Sequence, residues 1–519
     1  MKIQAWPGGS IRPVSQGGRS APGAAAAASG RQVPPPLATG PSGRQKIAPW
    51  AQKSGEQVKE QIQRFIEENT PAMLEDLRRL VAIPSMAPVV PVSGRYPYLE
   101  DCAKALDYML ARGKELGLSA DNVDYHCGVL SYGSSAEGSI GIACHLDVVP
   151  PGSGWSHDPF DMVEKDGRVY GRGVNDNKGA AAMALYAMKF LQESGLPLKH
   201  RVDLILGCDE ETGMTDMPYY LKHRTAPKMT LVPDGTFPVC IGEKGLCEGD
   251  IISRPIDNSP IVVFEAGVAS NVVPDKAHVV IDRAGLPPVD DGELLVREEN
   301  GQTILDAFGR SAHASTPEKG DNAIAKAVRY LLDNDVVDGY EREVLELCWD
   351  LSSTIYGEGF GVACEEEVFK KLTCICGTLN KKEERYLIGF NIRWPMAIDA
   401  EALKAGIELC CDDIDGELFL PLFDPPHYID PDHPGVRTLC DCYDRVTGEQ
   451  CEPYVIYGAT YARYFPLGLT YGPSFVGDDA SLPEGFGAPH QPDEVMPIAT
   501  LQKALGLYIE TLLELDKVL

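Results

Sequence analysis

Residues 139–150 read SIGIACHLDVVP, and this stretch decides the fold. It begins as an apolar run without alternation, which is typical of a strand that is buried on both faces of a sheet. An Ala-rich helical stretch (178–193) and two further apolar runs (202–208 and 229–232) follow it. Such alternation predicts an α/β fold with a doubly wound, mostly parallel sheet covered by helices. We expect its first strand to run from Ser139 to Val149.

The pattern changes twice along the rest of the chain. Between residues 245 and 420, short β-branched runs and helical segments indicate an inserted α+β domain, and helix-strand alternation returns in 421–519. We therefore predict a catalytic domain made of 56–244 and 421–519. Residues 1–55 are rich in Gly, Ala, Pro and Ser and are expected to be a disordered tail, either a transit peptide or an upstream extension.

Within the first part, order is expected to begin near Gln57. The pair Thr70-Pro71 has the residue types of a helix N-cap and first turn, so it is predicted to start a second helix that ends near Val81.

Composition narrows the possible partners. The 519 residues contain 76 Asp and Glu against 47 Lys and Arg, and the net charge of −29 disfavours nucleic acid and anionic lipid. No apolar run is long enough for a membrane span. The 15 cysteines come without a signal-peptide pattern or a zinc-ribbon spacing, so we expect reduced, mostly buried thiols and a cytoplasmic protein. Small substrates and cations are the expected partners.

Acidic and histidine residues follow the predicted strands. The carboxyl ends of parallel strands meet at one crevice, so these residues are expected to converge. They are His145, Asp147, Asp176, the pair Glu210-Glu211, and Asp234. Each feature alone is weak, because an isolated acidic pair is usually solvated and a lone histidine is usually structural. Two histidines with three carboxylates, however, suit a pair of ions such as Zn²⁺ or Mn²⁺. The residues alone do not identify the second histidine.

The first of these clusters has a spacing with its own consequence. Residues two apart on a strand project to the same side, so the Asp147 carboxylate is expected to fix the imidazole of His145 as an outer partner.

Five stretches, in this order, resemble the diagnostic motifs of the M20 metallopeptidase family of aminoacylases, carnosinases and PepV/Sapep-type dipeptidases. They are 141–150 (GIACHLDVVP), 171–179 (GRGVNDNKG), 209–213 (DEETG), 233–235 (PDG) and 487–494 (GAPHQPDE). The likeness extends from about residue 60 to the C-terminus. It implies a fold of the di-metal aminopeptidase type in which the inserted domain is a lid.

The resemblance also implies roles for single residues. It assigns His145 and Asp234 to one divalent ion, Glu211 and His490 to the other, and Asp176 to a bridge between them. The ions would be Zn²⁺ or Mn²⁺, with Co²⁺ possible. Glu210 would be the general base that takes a proton from the attacking water and passes it to the leaving amine, while Asp147 orients His145.

Three residues of the inserted domain resemble substrate-contacting positions of the family: Asn271, His313 and Arg393. His313 would stabilise the oxyanion, and Arg393 would bind the substrate carboxylate through paired hydrogen bonds. Two positions, Asn177 and Tyr461, depart from the family pattern, and neither is expected to touch a proposed ligand.

Three functions are compatible with this reading of the sequence. The first is a dipeptidase, because the long insertion and the His490 motif look most like the PepV/Sapep branch; a lid that imitates a second subunit would make the protein a monomer. The second is an N-acyl-amino-acid deacylase with the same di-metal site. The third is an inactive metal-binding protein of the same fold, which the presence of Glu210 and all five ligands disfavours.

Overall fold

Two large sheets organise the chain, seen here in a computed structural model that describes residues 55–134, 137–478, 482–483 and 485–519. The predicted tail lies outside the described residues, apart from Gly55. The helices, numbered along the chain, are α1 (Gly55–Val81), α2 (Leu99–Glu115), α3 (Lys178–Ser194), α4 (Asp216–His223), α5 (Ala323–Asp333), α6 (Gly339–Ser353), α7 (Ala400–Asp413), α8 (Pro434–Thr447) and α9 (Ile498–Val518).

The first helix corrects the predicted break at Thr70-Pro71, because α1 is continuous through Pro71. Thr70 is not an N-cap: its hydroxyl donates to the carbonyl of Ile66 (2.7 Å) and accepts from the Gln502 side chain (3.0 Å). The apolar face of α1 packs on α3 and α9, so tertiary burial outweighs the local preference of proline for a helix start.

The first sheet has a parallel centre, as predicted. Its strands are β1 (Ser119–Val123), β2 (Cys127–Tyr132), β3 (Ser139–His145), β6 (Arg201–Gly207), β7 (Met229–Val232), β9 (Cys240–Glu243), β21 (His427–Tyr428), β22 (Tyr454–Ile456) and β23 (Gly468–Thr470). Their order is β1-β2-β6-β3-β7-β23-β9-β21, with β22 paired to β9. Strands β6, β3, β7 and β23 run parallel, whereas the β1, β2 and β21 edges are antiparallel.

Helix α3 packs on this sheet and is buried over most of its length, since α1 and α9 cover it in turn. Its Ala-rich sequence allows this close layering. A separate core joins α4 and the 3-10 turn Tyr461–Tyr464 to Ala143 and Ile205 of the sheet.

The second sheet is antiparallel. Its strands are β10 (Gly245–Ile252), β11 (Ile261–Ala266), β12 (Lys276–Ile281), β13 (Val289–Asp290), β14 (Leu294–Glu299), β15 (Gln302–Phe308), β18 (Thr373–Lys382), β19 (Arg385–Trp394) and β20 (Glu417–Asp424). They follow the order β13-β14-β15-β12-β11-β18-β19-β10-β20. Together with α5, α6 and α7 this sheet has a hydrophobic core of its own. Its last strand reaches Asp424, beyond the predicted boundary at residue 420; we call residues 245–424 the insert.

Short strands complete the fold. They are β4 (Val163–Lys165) and β5 (Arg168–Tyr170), which form a sheet with β25 (Val495–Pro497), and the pairs β8 (Gly235–Thr236) with β24 (Pro473–Ser474) and β16 (Glu365–Glu366) with β17 (Lys370–Lys371).

Thirteen cysteines are free thiols in the described part of the chain, and most are buried, as expected. The expectation is wrong for Cys440 and Cys451, which form a disulfide between α8 and the segment after it. The turn at Gly448 brings the two Cα atoms within 5.1 Å, a proximity that the spacing of cysteines does not reveal. Among the helices that the structure describes, none has the length and apolarity needed to cross a bilayer.

Candidate metal centre

The predicted ligands gather at the carboxyl ends of the parallel strands. His145 is the last residue of β3, Glu211 follows β6, and Asp234 follows β7. Asp176 lies just before α3, and His490 comes from the loop that precedes β25. Parallel strands thus bring together residues that are far apart in sequence, as the topology predicts.

Asp176 lies between the two histidines. Its Oδ1 is 2.9 Å from Nε2 of His145, and its Oδ2 is 3.2 Å from Nε2 of His490. Nε2 of His490 is also 3.0 Å from Oε2 of Glu211, while Nε2 of His145 is 3.8 Å from Oδ1 of Asp234. The two oxygens of Asp176 therefore face different partners, which is the arrangement that a bridging carboxylate requires.

Glu210 belongs to the same cluster. One ligand atom each from His145, Glu210 and Asp234 lies within 4.8 Å of the others, and the same holds for His145, Asp176 and Glu211. Burial and the negative charge of Asp234 raise the pKa of Glu210. Burial, together with Asp176, raises the pKa of Asp234 to about 7. These shifts express the cost of holding several carboxylates together in a desolvated crevice.

The pKa values of the two histidines are raised as well, because both rings face carboxylates. Hydrogen bonds to Asp176 and Glu211 raise the pKa of His490 to about 10. Although burial opposes it, bonding to Asp147 and Asp176 raises the pKa of His145. The bonds to both histidines hold the pKa of Asp176 below its usual range, against the effect of burial. The carboxylates of the site thus outnumber its cationic groups, and bound protons supply part of the missing positive charge.

The expected arrangement of His145 and Asp147 on one strand is wrong, because β3 ends at His145. Beyond it the chain leaves the sheet, and Val148 N–H donates to the carbonyl of Ser85 (3.0 Å). Nδ1 of His145 lies 2.9 Å from the main-chain oxygen of Asp147 and 3.5 Å from its carboxylate Oδ1. The carbonyl is therefore the closer partner of the imidazole, and the carboxylate accepts from Glu211 N–H (3.0 Å).

A buried carboxylate that sequence reasoning missed supports Asp176. Oε1 of Glu494 accepts from the N–H groups of Gly173 (3.1 Å), Asn175 (2.9 Å) and Asp176 (3.0 Å), and Oε2 pairs with Arg172 (2.6 Å). Glu494 is inaccessible to solvent and follows His490 by four residues in the quoted 487–494 stretch. The acidic residue at the end of that stretch was the only indication of this role in the sequence. The groups that Glu494 bonds to lie in a loop far away along the chain, so the sequence does not reveal them.

The two departures from the family pattern do contact proposed ligands, contrary to expectation. The side-chain amide of Asn177 donates to Oδ1 of Asp234 (3.1 Å). The ring of Tyr461 meets that of His145 edge to face, with centroids 6.3 Å apart. The Tyr461 hydroxyl donates to Asp216, whose carboxylate accepts from the N–H groups that begin the Glu210 loop. Both residues are buried beside the proposed ligands that they contact.

The insert contributes the three residues predicted to contact substrate. The loops of Asn271 and His313 are joined by a bond from Ala314 N–H to the Asn271 carbonyl (2.9 Å). Desolvation and the nearby positive charges of Arg393 and His490 lower the pKa of His313. Arg393 is buried, and its Nε donates to Oδ1 of Asn391 (2.9 Å). The charges of Arg393 and His490 thus both act on His313.

The residues present fit a pair of divalent ions. Oε1 of Glu211 and Oδ1 of Asp147 are buried without a hydrogen-bond partner among the described residues. Four carboxylates face two histidines, a hard-to-borderline donor set that suits Zn²⁺, Mn²⁺ or Co²⁺. Unpaired carboxylate oxygens in such a crevice are costly unless cations neutralise them.

The fold and the site together define a class of protein, the divalent-metal hydrolases whose ligands lie at the carboxyl ends of a parallel sheet. Comparison with known proteins then gives the family. The model of the Peptidase family M20/M25/M40 matches residues 141–514, which is more than half of the chain. The protein therefore belongs to this peptidase family.

Similar proteins include two bacterial relatives. One, named "Putative dipeptidase YtjP" in Bacillus subtilis (strain 168), is 32% identical over 463 residues, covering 86% of this chain and 97% of the relative. The other, the Beta-Ala-Xaa dipeptidase of Lactobacillus delbrueckii subsp. lactis, is 29% identical over 466 residues, covering 86% and 96%.

Two solved structures share the fold. Human carnosine dipeptidase 1 has a TM-score of 0.55 at 15% identity, covering 89% of this chain and 99% of that one. The di-peptidase Dug1p from Saccharomyces cerevisiae has a TM-score of 0.56 at 13% identity, covering 88% and 98%.

Proposed function

We propose that this protein hydrolyses the peptide bond of dipeptides at a site that holds two divalent ions. The position of Asp176 between His145 and His490 carries this proposal, because each carboxylate oxygen faces a different ligand set. The names of the two bacterial relatives support the choice of substrate, because both names contain the word dipeptidase and both relatives are covered over almost their full length.

The ligand roles follow from the geometry and the family. His145 and Asp234 would hold one ion, Glu211 and His490 the other, and Asp176 both. When bound, divalent ions polarise a scissile carbonyl and make an attacking water more acidic. Asn177, Tyr461 and Glu494 would keep the ligands in place through the contacts described above. Loss of such an outer contact typically lowers metal affinity or activity by about 10–100-fold.

Glu210 is proposed as the general base. It takes a proton from the attacking water and delivers it to the leaving amine. Its raised pKa in the metal-free protein suits a group that must both accept and release a proton. The bound cations would lower that pKa towards the working range by offsetting the charges of Asp234 and Asp176.

The insert is proposed to act as a lid that recognises the substrate. Arg393 would bind the C-terminal carboxylate: Nε is fixed by Asn391, and within the described structure the two η nitrogens form no hydrogen bond, so they can pair with a carboxylate. His313 would stabilise the oxyanion, and Asn271, held beside it, would contact the substrate backbone. We further propose that one chain suffices for activity, because it supplies all of these groups.

A matched set of substrates tests the dipeptidase proposal. L-Ala-L-Leu, N-acetyl-L-leucine and the C-terminal amide of the dipeptide would be incubated separately with Mn²⁺-loaded protein, and released leucine or leucinamide measured. We expect cleavage of the free dipeptide and much weaker cleavage of its amide. Cleavage of the N-acetyl compound alone would indicate a deacylase, and no cleavage at full metal loading would indicate an inactive protein.

A further inference from the structure

The insert joins the catalytic sheet through two adjacent crossings. The outgoing one runs from β9 through Lys244 into β10, and the return one runs from β20 through Pro425 into β21. Strand β9 pairs with β21 on one side, and β10 pairs with β20 on the other, with Leu246 opposite Asp424. Any movement of the insert relative to the catalytic sheet must therefore change the backbone conformation of these two segments.

One arginine bonds to both crossings. Nη2 of Arg463 donates to the carbonyls of Lys244 and Pro425, at 3.0 Å in each case. Its Nε is 4.0 Å from Oδ2 of Asp424, the last residue of β20, which also accepts from the Tyr464 hydroxyl (3.2 Å). The Arg463 side chain is only 3% exposed, although its acceptor Pro425 lies at the surface, and both bonds are charge-assisted.

The same short turn also contacts the metal-ligand candidates. Thr460 donates through N–H and hydroxyl to Glu243, the residue before the outgoing crossing. Tyr461 touches His145 and bonds to Asp216. Residues 460–463 thus connect the two crossings to the catalytic cluster within one turn.

Arg463 also influences Arg393, the residue of the insert that is proposed to bind the substrate carboxylate. Arg393 of β19 lies opposite Leu246 at the start of β10, beside the outgoing crossing. Burial and, to a smaller extent, the positive charge of Arg463 lower the pKa of Arg393 to about 10. Nη1 of Arg463 is buried without a hydrogen-bond partner among the residues described. An unpaired buried donor lowers the stability of the folded protein. A residue without this unpaired donor would therefore be more stable here if the side chain had a purely structural role.

We propose that Arg463 is a positioning residue that fixes the insert, and with it Arg393, relative to the metal centre. It does so by holding the carbonyls of both crossings with one planar group. This inference rests on the proposed function for its kinetic consequences, but its structural consequence is independent of any activity.

Hydrogen exchange and kinetics on Arg463→Gln test the proposal. Loss of two charge-assisted bonds should speed amide exchange at 244–246 and at His427 by about tenfold or more. Pro425 and Pro426 have no amide hydrogen, so His427 reports on the return crossing. The preference for L-Ala-L-Leu over its C-terminal amide, expressed as a ratio of kcat/KM values, should also fall by about tenfold. Metal content should stay at the wild-type value.

Arg385→Gln is the matched control, because Arg385 also bonds a carbonyl (Ser253, 3.3 Å) and a carboxylate (Glu417, 2.8 Å), but away from the crossings. It should leave both readouts unchanged. Wild-type exchange at the crossings in Arg463→Gln, or equal losses on dipeptide and amide, would overturn the proposal. If Arg463→Gln does not fold, Arg463→Lys is judged by the same two criteria. If the wild-type protein cleaves no dipeptide, the proposed function fails, and the exchange measurement alone decides on Arg463.

Discussion

Replacing Glu494 with glutamine should damage the metal centre without touching a ligand. Three N–H groups converge on Oε1, from Gly173, Asn175 and Asp176, so the amide oxygen of the new side chain would take that place. The amide nitrogen would then face Nη1 of Arg172, whose bond to Oε2 is 2.6 Å long in the wild-type protein. A donor would meet a donor, and a buried guanidinium would lose its counter-charge.

The magnitude follows from the burial of this pair. Breaking a buried ion pair by removing one partner costs about 3–5 kcal/mol. One kcal/mol shifts the thermal midpoint by roughly 2–4 °C in a domain of about 150–250 residues and by about 1 °C in a unit of more than about 400 residues, so the midpoint should fall by about 3–5 °C. Because the loop of Asp176 loses its anchor, affinity for Mn²⁺ should fall about 10–100-fold, the range known for outer partners of metal ligands.

The assay compares metal-free and Mn²⁺-loaded protein by differential scanning calorimetry and by titration of Mn²⁺. Glu164→Gln is the control, since Glu164 is exposed on β4 of the same small sheet that contains β25. Equal thermal midpoints and Mn²⁺ affinities for Glu494→Gln and Glu164→Gln would refute the positioning role of Glu494.

Three further predictions concern the cluster itself. Glu210→Gln should retain both ions, because Glu210 is not itself proposed as a ligand, and turnover should fall by at least about 100-fold, because the general base is lost. Metal analysis with steady-state kinetics checks this, and high turnover in a metal-replete variant would contradict it. His490→Ala should bind one ion fewer, or bind it much more weakly, in a Zn²⁺ titration, and an unchanged stoichiometry would remove His490 from the ligand set. The gain in thermal midpoint on adding Mn²⁺ should be larger at pH 8 than at pH 5.5. In the metal-free protein the pKa of Asp234 is about 7 and that of His490 about 10, so ions that bind at lower pH must displace protons from both groups. Because both pKa values are raised in the folded protein, the contribution of these groups to metal-free stability falls as pH rises through those values. A gain that does not vary with pH would contradict these assignments.

The parallel centre of the catalytic sheet and the convergence of its ligands could be predicted from sequence, because apolar runs mark the strands and acidic residues mark their ends. The end of β3 could not. Leu146 and Val148 are as apolar as the strand before them. The N–H of Leu146 still bonds to Gly207 of β6, but that of Val148 bonds to Ser85, outside the sheet. Burial alone therefore did not distinguish a strand from the buried loop that follows it.

The contacts that hold the ligands were hidden for a different reason. Glu494 bonds to Asp176, 318 residues earlier, and Arg463 bonds to Lys244, 219 residues earlier. Asn177 was recognised as unusual, but its bond to Asp234 depends on how the end of β7 meets the start of α3. Such pairs have no local periodicity, so only the assembled fold reveals them.

The most direct test of the central claim measures metal stoichiometry and turnover in one sample. Protein freed of metal with a chelator would be titrated with Mn²⁺, and hydrolysis of L-Ala-L-Leu followed at each step. Two ions around Asp176 predict binding that saturates at two equivalents per chain, with turnover absent from the chelated protein and restored as the sites fill. Dipeptide hydrolysis by the fully chelated protein, or saturation at two equivalents without any hydrolysis, would contradict the account.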